Sequence, residues 1–251
     1  MANLFFTTWL LTLGFIPYSS YEYNLGPLPS VARFDNTFVQ TLEVDFYVAN
    51  ILRVYSNVEI REMKAQTIYF DPYRADFRIG AELAYKGFFL GVFHECDHDV
   101  VTTFERSRYN GIDGAFADIY AGWQGEFAIH PKVKLQPYAA LGIRPYDNFF
   151  VLVEGSGSSE IGYPGSNLFA ELHLGADLFD LVRLRAMFRP EFSLYYRSLA
   201  CFQYGAGAEL RYRNISLGVD WTSQVKLLYP AGSAVSELTI YISFRGQSKL
   251  L

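Results

Sequence analysis

From about Phe38 to the C-terminus, polarity changes at every second residue, segment after segment. A period of two is the period of a β-strand, whose successive side chains leave opposite faces. In "TLEVDFYV", Leu42, Val44, Phe46 and Val48 share one face and Glu43 and Asp45 the other. "DFRIGAELAY" sets Phe77, Ile79, Ala81 and Leu83 against Arg78, Gly80 and Glu82. "VRLRAMFRPEFSLYY" sets Val182, Leu184, Phe188, Phe192 and Leu194 against Arg183, Arg185, Arg189 and Glu191. The same alternation runs through "RVYSNVEIR", "FADIYAGWQGEFAI", "KVKLQPYAALGIR", "NLFAELHLGADL", "CFQYGAGAELRY", "ISLGVDW" and "ELTIYISFR". The chain is therefore all-β.

One face is apolar throughout, and the other carries charge in the middle of the strands. Alternation alone also permits a soluble β-sandwich or a lipocalin-like barrel. Three features favour a transmembrane up-and-down antiparallel barrel instead. The segments run to about ten residues, the length a tilted strand needs to cross a bilayer. Their connections alternate between tight and long. The tight ones are "AN" at 49–50, "YKG" at 85–87, "HPK" at 130–132, "FDLV" at 179–182 and "RN" at 213–214. The long ones are 63–74, 97–113, 147–165 and 225–235. Finally, the charged face mixes both signs, as a closed interior with paired charges does. About eleven strands follow Phe38. Because such barrels prefer even numbers, one more strand is expected before Thr41, giving about twelve, with ten as the fallback.

The missing strand comes either from residues 21–36 or from the N-terminal run "MANLFFTTWLLTLGFIPYSS". That run has an apolar stretch from Leu4 to Ile16, the length of a signal-peptide core and too short for a membrane helix. The expectation is a signal peptide over residues 1–20, or else a first strand, with residues 21–251 as one barrel domain. No later run of 18 apolar residues suggests a helical span. With 19 Tyr and 22 Phe, the composition suits strands and membrane interfaces. A net charge of −5 gives no reason to expect nucleic acid, and two cysteines make no disulfide framework.

The inward face is expected to hold a charge network of Glu43, Arg53, Glu59, Arg78, Glu82, Asp118, Glu126, Glu171, Arg183, Arg185, Arg189, Glu191, Glu209 and Arg211. Long side chains of both signs in a narrow tube should pair and fill it, because an unpaired buried charge is costly. His173, on the same face as Glu171, reads as a lumen residue. Cys201 shares parity with Gln203 and Glu209 and is expected to face inward, unbridged to Cys96.

The stretch "FFLGVFHECDH" ends with two histidines, a cysteine and two carboxylates in five residues. Glu95, Asp97 and Asp99 match the inward parity, so His94 and Cys96 are expected to face lipid. A zinc site from His94, Cys96 and His98 is disfavoured: two histidines four residues apart on a straight strand lie about 13 Å apart, and zinc needs ligands at about 2 Å. Two same-face residues on a strand can instead present a base and a nucleophile to an acyl chain in the bilayer. An apolar surround, however, disfavours the thiolate.

Here the sequence resembles outer membrane phospholipase A and the lipid A 3-O-deacylase, where a strand ends in His-x-Ser on the lipid face. It also resembles a family of uncharacterised outer-membrane barrels with an H-x-S-S-H strand end, over "YRADFRIGAELAYKGFFLGVFHECDHD". The resemblance implies His94 as base, Cys96 in the place of the serine nucleophile, and Asn110 as the residue orienting His94, with Glu105 behind it.

The reading is a bacterial outer-membrane barrel with a charged, largely occluded lumen and a structural or surface role. The alternatives are a membrane-lipid acyl hydrolase at His94 and Cys96, and a narrow ion or small-solute channel. No cofactor or metal is expected, apart from calcium if the protein is a lipid hydrolase. The expected partners are outer-membrane lipids and the barrel assembly machinery, with the chain a monomer or weak dimer.

Overall fold

The computed structural model describes residues 5–23, 30–33, 37–63, 71–99, 112–153, 157–162, 167–227 and 233–249. Their regular structure is entirely β: β1 (Phe5–Tyr23), β2 (Ser30–Arg33), β3 (Thr37–Val48), β4 (Leu52–Met63), β5 (Asp71–Tyr85), β6 (Phe88–Asp99), β7 (Ile112–Gln124), β8 (Phe127–His130), β9 (Val133–Val153), β10 (Gly157–Gly162), β11 (Asn167–Leu178), β12 (Val182–Ser193), β13 (Ser198–Tyr212), β14 (Ile215–Lys226) and β15 (Ser233–Lys249). Twelve of these make a closed antiparallel barrel, in the order β1, β3, β4, β5, β6, β7, β9, β11, β12, β13, β14, β15 and back to β1. The seam joins the two ends of the chain, with Phe6 opposite Lys249 and Tyr23 opposite Ser233. The short strands extend hairpins: β2 on β1, β8 on β9 and β10 on β9.

The wall after Phe38 has the eleven strands read from the alternation, and the N-terminal run supplies the twelfth as β1. Two connections differ from expectation. Residues 147–165 are not a loop throughout: β9 runs on to Val153 and β10 turns back along it, Gly157 opposite Val153. Likewise β1 runs to Tyr23 and β2 pairs with its end. Charged and aromatic residues break the polarity pattern there, while the backbone pairing continues.

The tight turns follow from backbone chemistry. A two-residue hairpin turn that matches strand twist needs left-handed φ at both positions. Ala49 and Asn50, Lys86 and Gly87, and Phe179 and Asp180 all have it, with φ between 50° and 86°. The register shifts in the wall also have a local cause. Proline cannot donate to the ladder and so sits at bulges. The shift in β1 between Phe15 and Tyr18 spans Pro17. The β4–β5 shift falls at Pro72. The β7–β9 shift lies beside Pro145, and the β12–β13 shift beside Pro190.

Outward faces carry exposed apolar residues such as Leu42, Ile79, Leu90, Leu141, Leu172 and Leu217. Such a continuous apolar exterior is stable only against lipid. Large rings fringe both ends. Tyr85, Phe88, Phe127, Phe179 and Tyr212 lie at the tight-turn rim, and Phe38, Phe77, Phe192, Tyr195 and Tyr196 at the other. Aromatic girdles at the two interfaces are characteristic of membrane barrels. The packed core lies inside the lumen: Phe89, Phe93, Tyr120, Ala140 and Phe169 form a buried cluster, with Tyr55, Phe116 and Tyr138 against it. Glycine makes room for it. Gly91 lies opposite Tyr120, and a Cβ there would sit 2.4 Å from the tyrosine ring.

Candidate functional site

The charged side chains on the polar parity of the strands form ion pairs that resolve into three groups, while Glu126 falls outside the strands, where parity does not apply. Towards the tight-turn rim, Arg183 and Arg211 hold Asp177 at 2.6 Å and 3.3 Å, and Arg211 also pairs with Glu209 at 3.1 Å. Arg185 crosses to Asp220 at 2.6 Å and touches Tyr241. Glu126 lies at the mouth, in the link between β7 and β8. The Gln136 amide donates to it at 3.1 Å and the Lys134 ammonium lies at 3.1 Å. These contacts hold its carboxyl below the ordinary glutamate range.

The second group is buried. Asp118 has no solvent exposure and accepts from Arg144 at 2.8 and 3.1 Å and from Arg189 at 2.6 Å. Arg144 also reaches Glu191 at 3.3 Å, and Arg189 reaches Glu171 at 3.0 Å. Both guanidiniums lie over rings, Arg144 over Phe116 at 3.8 Å and Arg189 over Phe169 at 4.1 Å. Desolvated cation–π contacts of this kind add to the ion pairs. The bulge at Pro145 sets this arrangement: β7 and β9 slip by one residue between Ala117 and Ile119, which brings Asp118 to Arg144. His173 binds Glu171 at 2.7 Å, as a lumen residue.

The third group lies on β3, β4, β5, β6 and β15, with Tyr120 of β7 against it. Arg53 binds Asp45 at 2.8 Å, and Arg61 bridges Glu59 at 2.7 Å and Glu237 at 2.6 Å. Arg78 pairs with Glu95. Glu82, buried, accepts from Tyr120 at 3.2 Å, whose hydroxyl lies 3.1 Å from that of Tyr55.

These contacts run along the wall. The longest, such as Arg189 to Asp118 and Tyr55 to Tyr120, reach three strands round a ring in which opposite strands are six apart. The aromatic cluster of Phe89, Phe93, Tyr120 and Phe169 packs beside these contacts in the lumen. β1, β13 and β15 also turn small groups inward, Thr8, Thr12, Gly14, Gly205, Gly207, Thr239 and Ser243, beside the larger Ile16 and Tyr241.

His94 and Cys96 face outward, in parity with the exposed Phe88, Leu90 and Val92. The His94 Nε2 lies 2.8 Å from the Cys96 Sγ. Their cross-strand neighbours are Ile79 and Ala117 for His94, and Phe77 and Ala115 for Cys96. Counting along a tilted strand from Phe88, the thiol stands roughly 20 Å from the tight-turn rim, in the far part of an apolar band about 25 Å tall. β6 continues to Asp99 without the break after Cys96 that a zinc site would need. Asn110 and Glu105 lie outside the described residues. Cys201 is buried, opposite Glu191 and facing inward; neither thiol is in a disulfide.

Asp45, Arg61, Glu95, Arg144, Asp177, Asp220 and Glu237 join the network beyond the members singled out for it in the sequence. Their parity is inward, but only the strand register shows which charge each one meets.

No protein-family model matches the sequence, and no curated protein matches it. Among solved structures, the chain is similar to the translocator domain of the autotransporter NalP from Neisseria meningitidis, at 11% identity over 96% of this chain and 88% of that one, with a TM-score of 0.45. It is similar to the β-domain of the Bordetella autotransporter BrkA, at 12% identity over 96% and 98%, TM-score 0.44. It is also similar to the KdgM porin in complex with disordered oligogalacturonate, at 9% identity over 93% and 98%, TM-score 0.41. The fold rests on the strand pairing rather than on these likenesses.

Proposed function

We propose that the protein is a bacterial outer-membrane barrel whose lumen is a narrow passage for ions or small polar solutes. One observation carries this reading. Inward side chains keep solvent-accessible surface, Arg78, Arg185 and His173 most of all, while the ion pairs follow the wall. Twelve strands also stand between the eight whose interior side chains just fill and the sixteen of open porins. Lipids contact the apolar exterior. The test is conductance of the refolded full chain in a planar bilayer. Discrete steps that persist at low protein concentration are expected, and a silent bilayer containing folded barrel would overturn the reading.

A second reading rests on the His94–Cys96 contact, because a nucleophile within hydrogen-bond reach of a base is the mark of covalent catalysis. Here the imidazole takes the thiol proton and the sulfur attacks a lipid ester carbonyl. The alcohol leaves with that proton, and water then releases the acyl thioester as fatty acid. Cys96→Ala should abolish fatty-acid release from phospholipid, and Cys96→Ser should retain part of it. If the unaltered protein releases none, with or without calcium, this second reading fails.

A further inference from the structure

We infer, on the reading of the lumen as a passage, that its inner surface is positive and that it favours small anions over cations, although the whole chain carries a net charge of −5. The reason is radial layering. Arginine is the longer side chain and its guanidinium ends further from the wall, while Asp and Glu end close to it. Exposure follows this layering in the pairs nearest the open part of the lumen. The Arg78 side chain is 44% exposed against 20% for Glu95. Arg185 is 42% exposed against 28% for Asp220 and 8% for Glu209. Arg53 is 34% exposed against 17% for Asp45. The order reverses for Arg61 with Glu59 and for Arg189 with Glu171, pairs in which the arginine is largely buried, and at the mouth for Lys134 with Glu126, 40% against 50%.

Each pair is close to neutral at a distance. At physiological salt the field is screened over about 8 Å, so a passing ion responds mainly to the charge that meets the water. In these pairs that charge is guanidinium, whose planar fork suits carboxylate and phosphate oxygens. Arg245 adds to it: it faces the lumen, is exposed, and forms no ion pair among the described residues. It shares a ladder row with Leu10, Glu43, Asn57 and Arg78. Besides Glu126 at the mouth, two carboxylates within the wall oppose the trend. Glu43 makes no ion pair among the described residues and stands between Arg245 and Arg78 in that row. Glu82 is buried and bound by Tyr120. The row continues to Glu95, so two guanidiniums balance two carboxylates, and the guanidiniums are the more exposed members: Arg78 is 44% exposed against 20% for Glu95.

The test is the reversal potential of the refolded full chain in a planar bilayer under a KCl gradient. The expected value lies on the chloride side of zero. Arg245→Gln should move it towards zero; Arg245 forms no ion pair among the described residues and Arg53 and Arg78 still stand near Glu43, and heat-modifiable mobility checks that the barrel stays folded. Arg78→Gln with Arg185→Gln should move it further, and Glu43→Gln should move it the other way. A reversal potential on the potassium side, or one that Arg245→Gln leaves in place, overturns the inference. Conductance without chloride preference sinks this inference alone. Absence of conductance sinks the passage reading as well.

Discussion

Asp118 shows how much a single residue decides here. It has no contact with water and accepts from two arginines that come from different strands. Replacing it with Ala leaves Arg144 and Arg189 facing each other across a buried gap. Breaking one side of a buried ionic group costs about 3–5 kcal/mol. The expected outcome is an unfolding free energy lowered by that amount, seen as a lower urea midpoint read by heat-modifiable mobility. An unchanged midpoint would mean that water already neutralises the site. Glu126 behaves differently, because it is exposed and its partners act through direct contact. Its folded pKa is depressed, so its contacts with Gln136 and Lys134 are complete above the ordinary glutamate range. They are lost only as pH falls through the lowered value. The side-chain amide resonance of Gln136 should therefore hold steady below the pH where a free glutamate titrates, then move. At this scale the sequence was informative about direction and silent about partners. Parity alone turned Arg144 inward, but the slip at Pro145 brought it to Asp118, and a bulge is not written in polarity.

Strands make a stricter demand than residues. β1 is antiparallel to both β3 and β15, so those two are parallel to each other. Take β1 away and the eleven remaining strands have edges that could close only through a parallel pairing. We therefore propose that the mature barrel keeps residues 5–23, although their composition resembles a signal-peptide core. A chain shortened to begin at residue 21 should give no heat-modifiable species on refolding. A folded barrel from that chain would sink the proposal. The ambiguity has a physical origin. An export signal needs an apolar stretch, and a lipid-facing strand with Thr8, Thr12 and Gly14 inward has little charge to distinguish it. The tight turns were legible because short connections between alternating runs leave few geometries. The strand extensions past residue 147 were not, because pairing there continues where alternation stops.

For the whole molecule, inside and outside can be checked with one pair of probes. Leu83 is exposed on the lipid side, and Glu82, its neighbour, is buried in the lumen. A spin label at position 83 should be quenched by a membrane-dissolved relaxant such as oxygen and spared by a water-soluble one. The reverse result would turn the wall inside out. The barrel was legible at this scale because twelve amphipathic strands all make the same statement, and one misread strand could not overturn it. The seam has a further consequence in time. Phe6 is made before every other strand of the wall and Lys249 after them, yet they are neighbours. Until the last strand exists, every shorter chain carries two raw edges, β1 on one side and the newest strand on the other. Unpaired edges are what strands aggregate through. Contacts this remote in sequence also close slowly. Until β15 is in place the other strands are an open sheet with two raw edges, and only the β1–β15 pairing turns that sheet into a wall.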